Sequence, residues 1–238
     1  MLAHKSKLQL KKRLERSGWF IRRVAGLPLG VSLYKDLEHY GVSELRFILD
    51  IGAHVGESSM DFSIRHPEAK IIAFEPVKAN FDRLLMNIRG FNSIQCINAA
   101  VGDEEGWASI SLDRSNSQAH SLAWPSAAAS DTEMAPVTTV DKFLERALDR
   151  CDFIKIDVEG YELRVLQGAK NILKSSVKAL LIEATINPDD MRHTQLSSLQ
   201  AFLAPLGFHL VGIYDQHCYN TPPQLMFFNA LFLAGSKT

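Results

Sequence analysis

Cysteine is scarce in this chain: three in 238 residues, Cys96, Cys151 and Cys218, with no paired spacing. That excludes a disulfide framework and a thiolate zinc site as the basis of the fold, and it fits a reducing compartment, so a cytoplasmic protein is expected. Cys96 and Cys151 read as small core residues. No unbroken apolar run reaches the length of a membrane span or a signal h-region, so neither insertion nor cleavage is expected. An excess of one charge is lacking too. The 26 Lys and Arg against 27 Asp and Glu leave a net charge of -1, and the basic residues do not spread as they would along a nucleic-acid groove.

What is present is ordinary for one globular domain: 46% hydrophobic and 22% charged residues in a chain long enough to bury a full core. The balanced charge hides an asymmetry. Residues 1–30 carry eight Lys and Arg against one acid, Glu15, so this end is +7 and the remainder -8. The simplest organisation is a basic helical arm over 1–43 and a catalytic or binding domain over 44–238, with an insertion at about 104–136. The arm reads as a solvated helix that caps the domain, or as a peripheral contact with an anionic membrane surface through residues 1–30.

Phe47 to Gly56 is the most informative stretch. Four apolar positions, Phe47, Ile48, Leu49 and Ile51, surround Asp50 in a run into Gly52-x-x-x-Gly56, and an amphipathic segment follows, which predicts strand, tight turn and helix. Glycines there imply close approach of a ligand to the backbone. A dinucleotide fingerprint wants a middle glycine where this chain has His54, and it seats a phosphate where Asp50 would repel it. A nicotinamide oxidoreductase is the alternative this disfavours. An acid after the first strand suits the cationic amine of S-adenosylmethionine (SAM). Ala69 to Pro76 reads as a second strand ending in Glu75, a carboxylate able to accept both hydroxyls of a ribose.

The segments Leu49-Asp-Ile-Gly-Ala-His-Val-Gly56, Ala73-Phe-Glu-Pro76, Asn98-Ala-Ala-Val-Gly-Asp103 and Lys155-Ile-Asp-Val-Glu-Gly-Tyr-Glu162 follow one another at a spacing that resembles the FkbM-type SAM-dependent methyltransferases. The likeness covers roughly residues 44 to 235. His54 stands where that family more often carries Asn. The resemblance implies an α/β fold with a Rossmann-like, seven-stranded, mostly parallel sheet and helices on both faces. It also implies methyl transfer to a hydroxyl of a sugar, glycan or natural-product-like small molecule, with SAM as cofactor. The cofactor-binding candidates are Asp50, Gly52, Ala53, His54, Gly56, Glu75, Pro76, Asn98, Ala100 and Val101. A non-catalytic SAM-binding scaffold is a further alternative. Nucleic acid is not an expected partner, since no Asn-Pro-Pro-Tyr or Asp-Pro-Pro-Tyr segment occurs.

The rest alternates strand and helix, as a doubly wound sheet requires. Helices are expected at Leu33–Tyr40, Glu57–Arg65, Val77–Arg89, Thr138–Ala147 and Gln195–Leu206. Strands are expected at Ile94–Val101, Trp107–Leu112, Asp152–Asp157, Ala179–Ala184, Phe208–Tyr214 and Met226–Ala234, the last two as an antiparallel hairpin with a loop over Asp215–Pro223. Asp113–Pro136 reads as a long loop whose Asn116, His120 and Trp124 could grip an acceptor. Asp157, Glu159 and Glu162 crowd three carboxylates onto one turn, and Glu183 ends the next strand at the same edge. Like charges that close raise at least one pKa, as a general base requires. Asp157, Glu159 and Glu183 are the catalytic candidates, Glu162 reads as a helix cap, and His217 is a less favoured base. No spacing defines a metal ligand set, so a metal-free carboxyl cluster is expected.

Overall fold

The computed structural model describes residues 27–112, 132–147, 150–220 and 223–235. The membrane-contact reading of the basic arm and the acceptor-gripping reading of Asn116, His120 and Trp124 fall largely or wholly outside the described residues.

In chain order the elements are α1 (Leu33–His39), β1 (Phe47–Ile51), α2 (Glu57–Arg65), β2 (Lys70–Phe74), α3 (Lys78–Asn87), β3 (Ile94–Ile97), β4 (Ala100–Val101), β5 (Gly106–Ser111), β6 (Thr132–Thr138), α4 (Val140–Ala147), β7 (Phe153–Ile156), α5 (Glu162–Gln167), α6 (Lys170–Ser175), β8 (Ala179–Ala184), α7 (Leu196–Leu203), a 3-10 turn (Ala204–Leu206), β9 (Phe208–Asn220) and β10 (Pro223–Ala234). The main sheet has seven strands in the order β3-β2-β1-β7-β8-β10-β9. The first five are mutually parallel, while β10 runs antiparallel to both β8 and β9.

Strands β1, β7 and β8 are buried at every position, which is why apolar residues occupy both of their faces, interrupted only by Asp50, Lys155 and Glu183. Alternation instead divides their side chains between two cores. Leu49, Ile51, Ile154 and Ile156 join Leu144 of α4, Val165 of α5, Leu173 of α6 and Leu199 of α7 on one face. Ile48, Ile71 and Phe153 meet Leu37 of α1, Phe62 of α2 and Leu84 of α3 on the other. Each such fully buried Leu, Ile or Phe contributes about 1.5–3 kcal/mol of transfer free energy. The sheet is built outward from β1 to β3 on one side and resumes with β7 on the other. The reversal between β1 and β7 is the switch point whose carboxyl edge takes ligands in such sheets. Among the described residues no helix is long and apolar enough to cross a membrane.

Four boundaries differ from the sequence reading. The third strand breaks: Asn98 donates from Nδ2 to the carbonyls of Glu75 and Pro76, both at 2.9 Å, and the chain re-enters as β4 in a separate three-stranded sheet, β4-β6-β5. Strand β6 occupies part of the expected loop. Pro136 argues against a strand locally, but pairing with β5, in the register Trp107↔Pro136 and Ser109↔Met134, overrides it. Helix α4 starts at Val140, with Thr139 Oγ1 accepting the Lys142 N–H at 3.1 Å. Asp141 instead caps α6, accepting from the N–H groups of Asn171 and Ile172 at 2.9 Å each. The polar run from Asp215 is strand and not loop, because β10 pairs along it through Cys218↔Leu225 and His217↔Phe227. Helix α1, grouped with the arm on sequence, packs on the sheet through Leu37, and its buried Asp36 accepts the Tyr214 hydroxyl at 2.6 Å.

The glycines after β1 are also required by the packing of the protein itself. Gly52 has φ +83°, and a Cβ there would fall 1.8 Å from the carbonyl oxygen of Asp157; at Gly56 it would meet Leu84 Cδ1 at 2.6 Å. The close approach is made by the neighbouring strand and helix, and the open turn follows from it. Gly52→Ala is therefore expected to lower the stability of the protein by roughly 3 kcal/mol or more. Gly90→Ala, also at positive φ but with nothing within 4 Å of the added methyl, should lose only about 1 kcal/mol. Denaturant unfolding of the two variants beside the wild type checks the difference, and equal losses would remove the packing argument.

Candidate active site

A cavity of about 320 Å³ opens at the carboxyl ends of β1, β2, β7 and β8, within the range of small-molecule sites. Its wall includes Gly52, Ala53 and His54 after β1, Glu75 and Pro76 after β2, Ala100 and Val101 of β4, Asp157 and Glu159 after β7, Glu183 of β8, and His217, Phe227 and Asn229 of the terminal hairpin. Asp50, Gly56 and Asn98 are not on that wall. Asn98 lies behind it, clamping the Glu75–Pro76 turn from the strand break described above.

Glu75 ties the first two loops together. Its Oε1 accepts the Val77 N–H and its Oε2 the His54 N–H, both at 2.9 Å. Burial pushes its carboxyl up to about 7, against the pull of those donors. The Asn80 side chain is a third donor to this carboxylate, which leaves one of its four lone-pair sites open. His54 is held at φ 50°, a left-handed conformation that Asn and His adopt more readily than most residues. The same pocket half is walled by Phe74, Val77, Ala99, Ala100, Val101 and Ile110, an apolar slot beside a carboxylate.

The floor is electrostatic. Lys155 of β7 lies directly beside Asp50 of β1 in register, its side chain only 8% exposed. Its Nζ is 2.8 Å from Asp157 Oδ2 and 3.9 Å from Asp50 Oδ1. Burial works against the ammonium, but Asp157, Asp50 and Glu183 outweigh it and hold Lys155 above its usual range. Burial also favours neutral Asp157, yet its ion pair with Lys155 keeps that carboxyl below the usual carboxylate range. Asp50, expected to face the ligand, is fully buried beneath the loop, where its other oxygen accepts the Ser59 hydroxyl. Its carboxyl is raised by burial, with Lys155 and Ser59 opposing. The Lys-x-Asp alternation of β7 carried the signal for Lys155, since alternate residues share one face of a strand.

Glu159, Glu183 and His193 form the opposite end. Glu159 is held at φ 51°, and its carboxyl is pushed up to about 8 by burial and by Glu183, against His193. Burial lifts Glu183 to about 7. His193 comes from the segment between β8 and α7. Its Nε2 lies 3.2 Å from Glu183 Oε2 and 3.9 Å from Glu159 Oε2, while Nδ1 is 2.7 Å from Asp190 Oδ2. Burial opposes its charge, but Glu183 and Asp190 raise it to about 9. The His193 ring stacks on Phe227 at 4.5 Å and 20°, and His217 stacks on Phe227 at 4.4 Å and 17°. Two near-parallel rings at such distances must cover opposite faces of Phe227. No motif or spacing marked His193, Phe227 or Asn229 in the sequence.

Glu162, fully buried, holds this end in shape. Oε1 accepts the N–H groups of Val158 and Gly160 at 3.3 and 3.0 Å, and Oε2 accepts the N–H and hydroxyl of Thr194. One carboxylate thus joins the turn that carries Glu159 to the segment that carries His193.

Known proteins of similar sequence bear on what this arrangement does. Residues 50–210 match the Methyltransferase FkbM domain family. The methyltransferase sdnD of Sordaria araneosa is 26% identical over 216 residues, covering 75% of this chain and 82% of that protein. The hexuronic acid methyltransferase AglP of Haloferax volcanii is 30% identical over 148 residues, covering 60% of this chain and 58% of that protein.

Glu162→Ala strands four donors around one buried site and is expected to lower stability by about 2–4 kcal/mol. Glu162→Gln, with a single acceptor oxygen, should fall between it and the wild type. Unfolding midpoints that place Glu162→Ala within about 0.5 kcal/mol of wild type, the effect of an ordinary surface change, would contradict the staple.

Proposed function

The chain belongs to the FkbM methyltransferase family, and from that premise we propose that it methylates a hydroxyl oxygen of a sugar or similarly hydroxylated small molecule, using SAM as methyl donor. The nicotinamide alternative falls with the family assignment. The observation that carries the reading is the division of one cavity into two unlike ends. One is an apolar slot beside a carboxylate; the other is a cluster of carboxylates and imidazole beneath aromatic rings.

The residues of the first end fit SAM. Glu75 keeps acceptor capacity for a ribose hydroxyl beyond its bonds to Val77, His54 and Asn80, Ala100 and Val101 provide an apolar wall for the base, and Asp157, kept ionised by Lys155, suits the cationic amine. When bound, SAM supplies a sulfonium methyl group open to attack by oxygen. The chain's own contribution is to hold the acceptor oxygen in line and to receive its proton, and positioning carries most of the effect.

The second end fits a hydroxylated acceptor. Glu159 and Glu183 line it as acceptors for a hydroxyl proton, with Glu159 the nearer to operating conditions for a base, its carboxyl lifted to about 8. His217 and Asn229 line the same end and add hydrogen-bonding groups of the kind a sugar ring requires. The name of AglP, a hexuronic acid methyltransferase, supports an acceptor of that chemistry.

Glu75→Ala and Asp157→Ala should each weaken SAM binding tenfold or more, about 1.4 kcal/mol, in a calorimetric titration. Absence of SAM binding by the wild type would overturn the assignment. Glu159→Gln should leave SAM affinity unchanged and lower kcat toward a hydroxylated acceptor by about 10²- to 10⁴-fold. Unchanged turnover would remove Glu159 from the chemistry.

A further inference from the structure

We infer that Glu159, Glu183 and His193 together bind a single divalent cation at the acceptor end of the cavity. Ligand atoms from all three, two carboxylate oxygens and one imidazole nitrogen, lie within 4.8 Å of one another. That spread is close to the separation of ligand atoms around a single ion, with the two glutamates left to adjust toward the fixed imidazole. Mixed carboxylate and imidazole donors suit a first-row ion such as manganese(II), iron(II) or zinc(II).

Two independent observations separate this cluster from an ordinary group of acids. The first concerns His193. Asp190 Oδ2 lies 2.7 Å from Nδ1, so the proton of a neutral ring sits on Nδ1 and the Nε2 lone pair faces the two glutamates. A carboxylate behind a histidine is the usual outer partner of a metal-binding imidazole, because it fixes tautomer and ring direction at once. The stack on Phe227 fixes the ring plane further. The second concerns Glu183. It is 8% exposed, and its buried Oε2 accepts no well-directed hydrogen bond among the described residues, although His193 Nε2 is 3.2 Å away. A buried carboxylate oxygen in that condition is costly unless something else satisfies it.

A divalent ion would bind in exchange for protons, with both glutamates as carboxylates and His193 Nε2 deprotonated, so uptake of the metal would release protons. The ion would also have a role in the reaction proposed above, and that role rests on that reading: an acceptor hydroxyl bound through oxygen to the ion would give up its proton more readily to the Glu159 carboxylate oxygen that the ion leaves free, and the alkoxide would attack the methyl carbon as sulfur leaves. Affinity for the ion itself does not depend on the reaction.

The test is a titration of the full chain, stripped with EDTA and dialysed, with manganese(II) followed by electron paramagnetic resonance and calorimetry. SAM binding is measured in the same samples, and thermal unfolding is recorded with and without the metal. One manganese(II) per chain is expected, with a rise in unfolding temperature on loading. Glu183→Gln and His193→Ala should weaken it at least tenfold, and Asp190→Asn should weaken it by about 10- to 100-fold as an outer partner does, all with SAM affinity kept within twofold. Should either buried variant fail to fold, Glu159→Gln, at the half-buried ligand, provides the same comparison. Wild type that binds SAM but takes up no manganese(II), or variants that bind it as tightly as wild type, would overturn the site. Manganese(II) binding without SAM binding would uphold the site and sink the methyl-transfer reading.

Discussion

An ammonium buried between two carboxylates is the constraint on which this molecule turns. Lys155 stands beside Asp50 across the two strands where the sheet reverses direction, and it reaches Asp157 at the lip of the cavity. Buried ions are tolerated only in company: taking away one partner of such a group leaves a charge that typically costs about 3–5 kcal/mol. The central strands are therefore held side by side by charge as well as by their apolar neighbours. The contact between Gly52 and the Asp157 carbonyl pins the same two chain ends by shape. Because both constraints converge on Asp157, its place on the cavity wall is set by the two central strands.

Above this floor, carboxylates do two kinds of work, and hydrogen-bond partners tell them apart. Glu75 and Glu162 accept backbone N–H groups and stitch loop to loop. Glu183 has a buried oxygen with no well-directed donor among the described residues. The first kind organises the cavity, and the second confronts what enters it. Glu75 belongs to both, since its bonds to the loops leave acceptor capacity over.

The same distinction separates what is legible in the sequence from what is not. The parallel strands are legible because residues such as Ile48, Leu49, Ile154 and Leu180 are buried on both faces, and short continuous apolar runs bounded by turns most often form interior strands. Most of the cavity wall is legible as well, because the loops after β1, β2 and β7 are short and carry their ligands beside the strand that positions them. Asp50 is marked by its place before the glycine, yet only the fold reveals that it faces Lys155 and Ser59 from below. Strand β6 and the distal half of β9 are illegible because cross-strand pairing, a non-local effect, outweighs Pro136 and the polar run after Tyr214. His193 is invisible for a similar reason. Its neighbours in sequence say nothing, and its meaning comes from Asp190, Glu183 and Phe227 meeting it in space.

The long terminal hairpin has one more implication. β9 and β10 span 13 and 12 residues, whereas the parallel strands span four to six, so the pair overhangs the sheet it belongs to. The overhang carries His217 and Phe227, and irregular register brackets Phe227 on both sides. One end of the cavity is thus walled by the interior of the architecture, while the other borders a cantilever rooted at the sheet edge. Such a cavity resembles a vice with one fixed and one adjustable jaw: substitutions at His217 or Phe227 on the overhang would reshape one end without touching the parallel strands that frame the other.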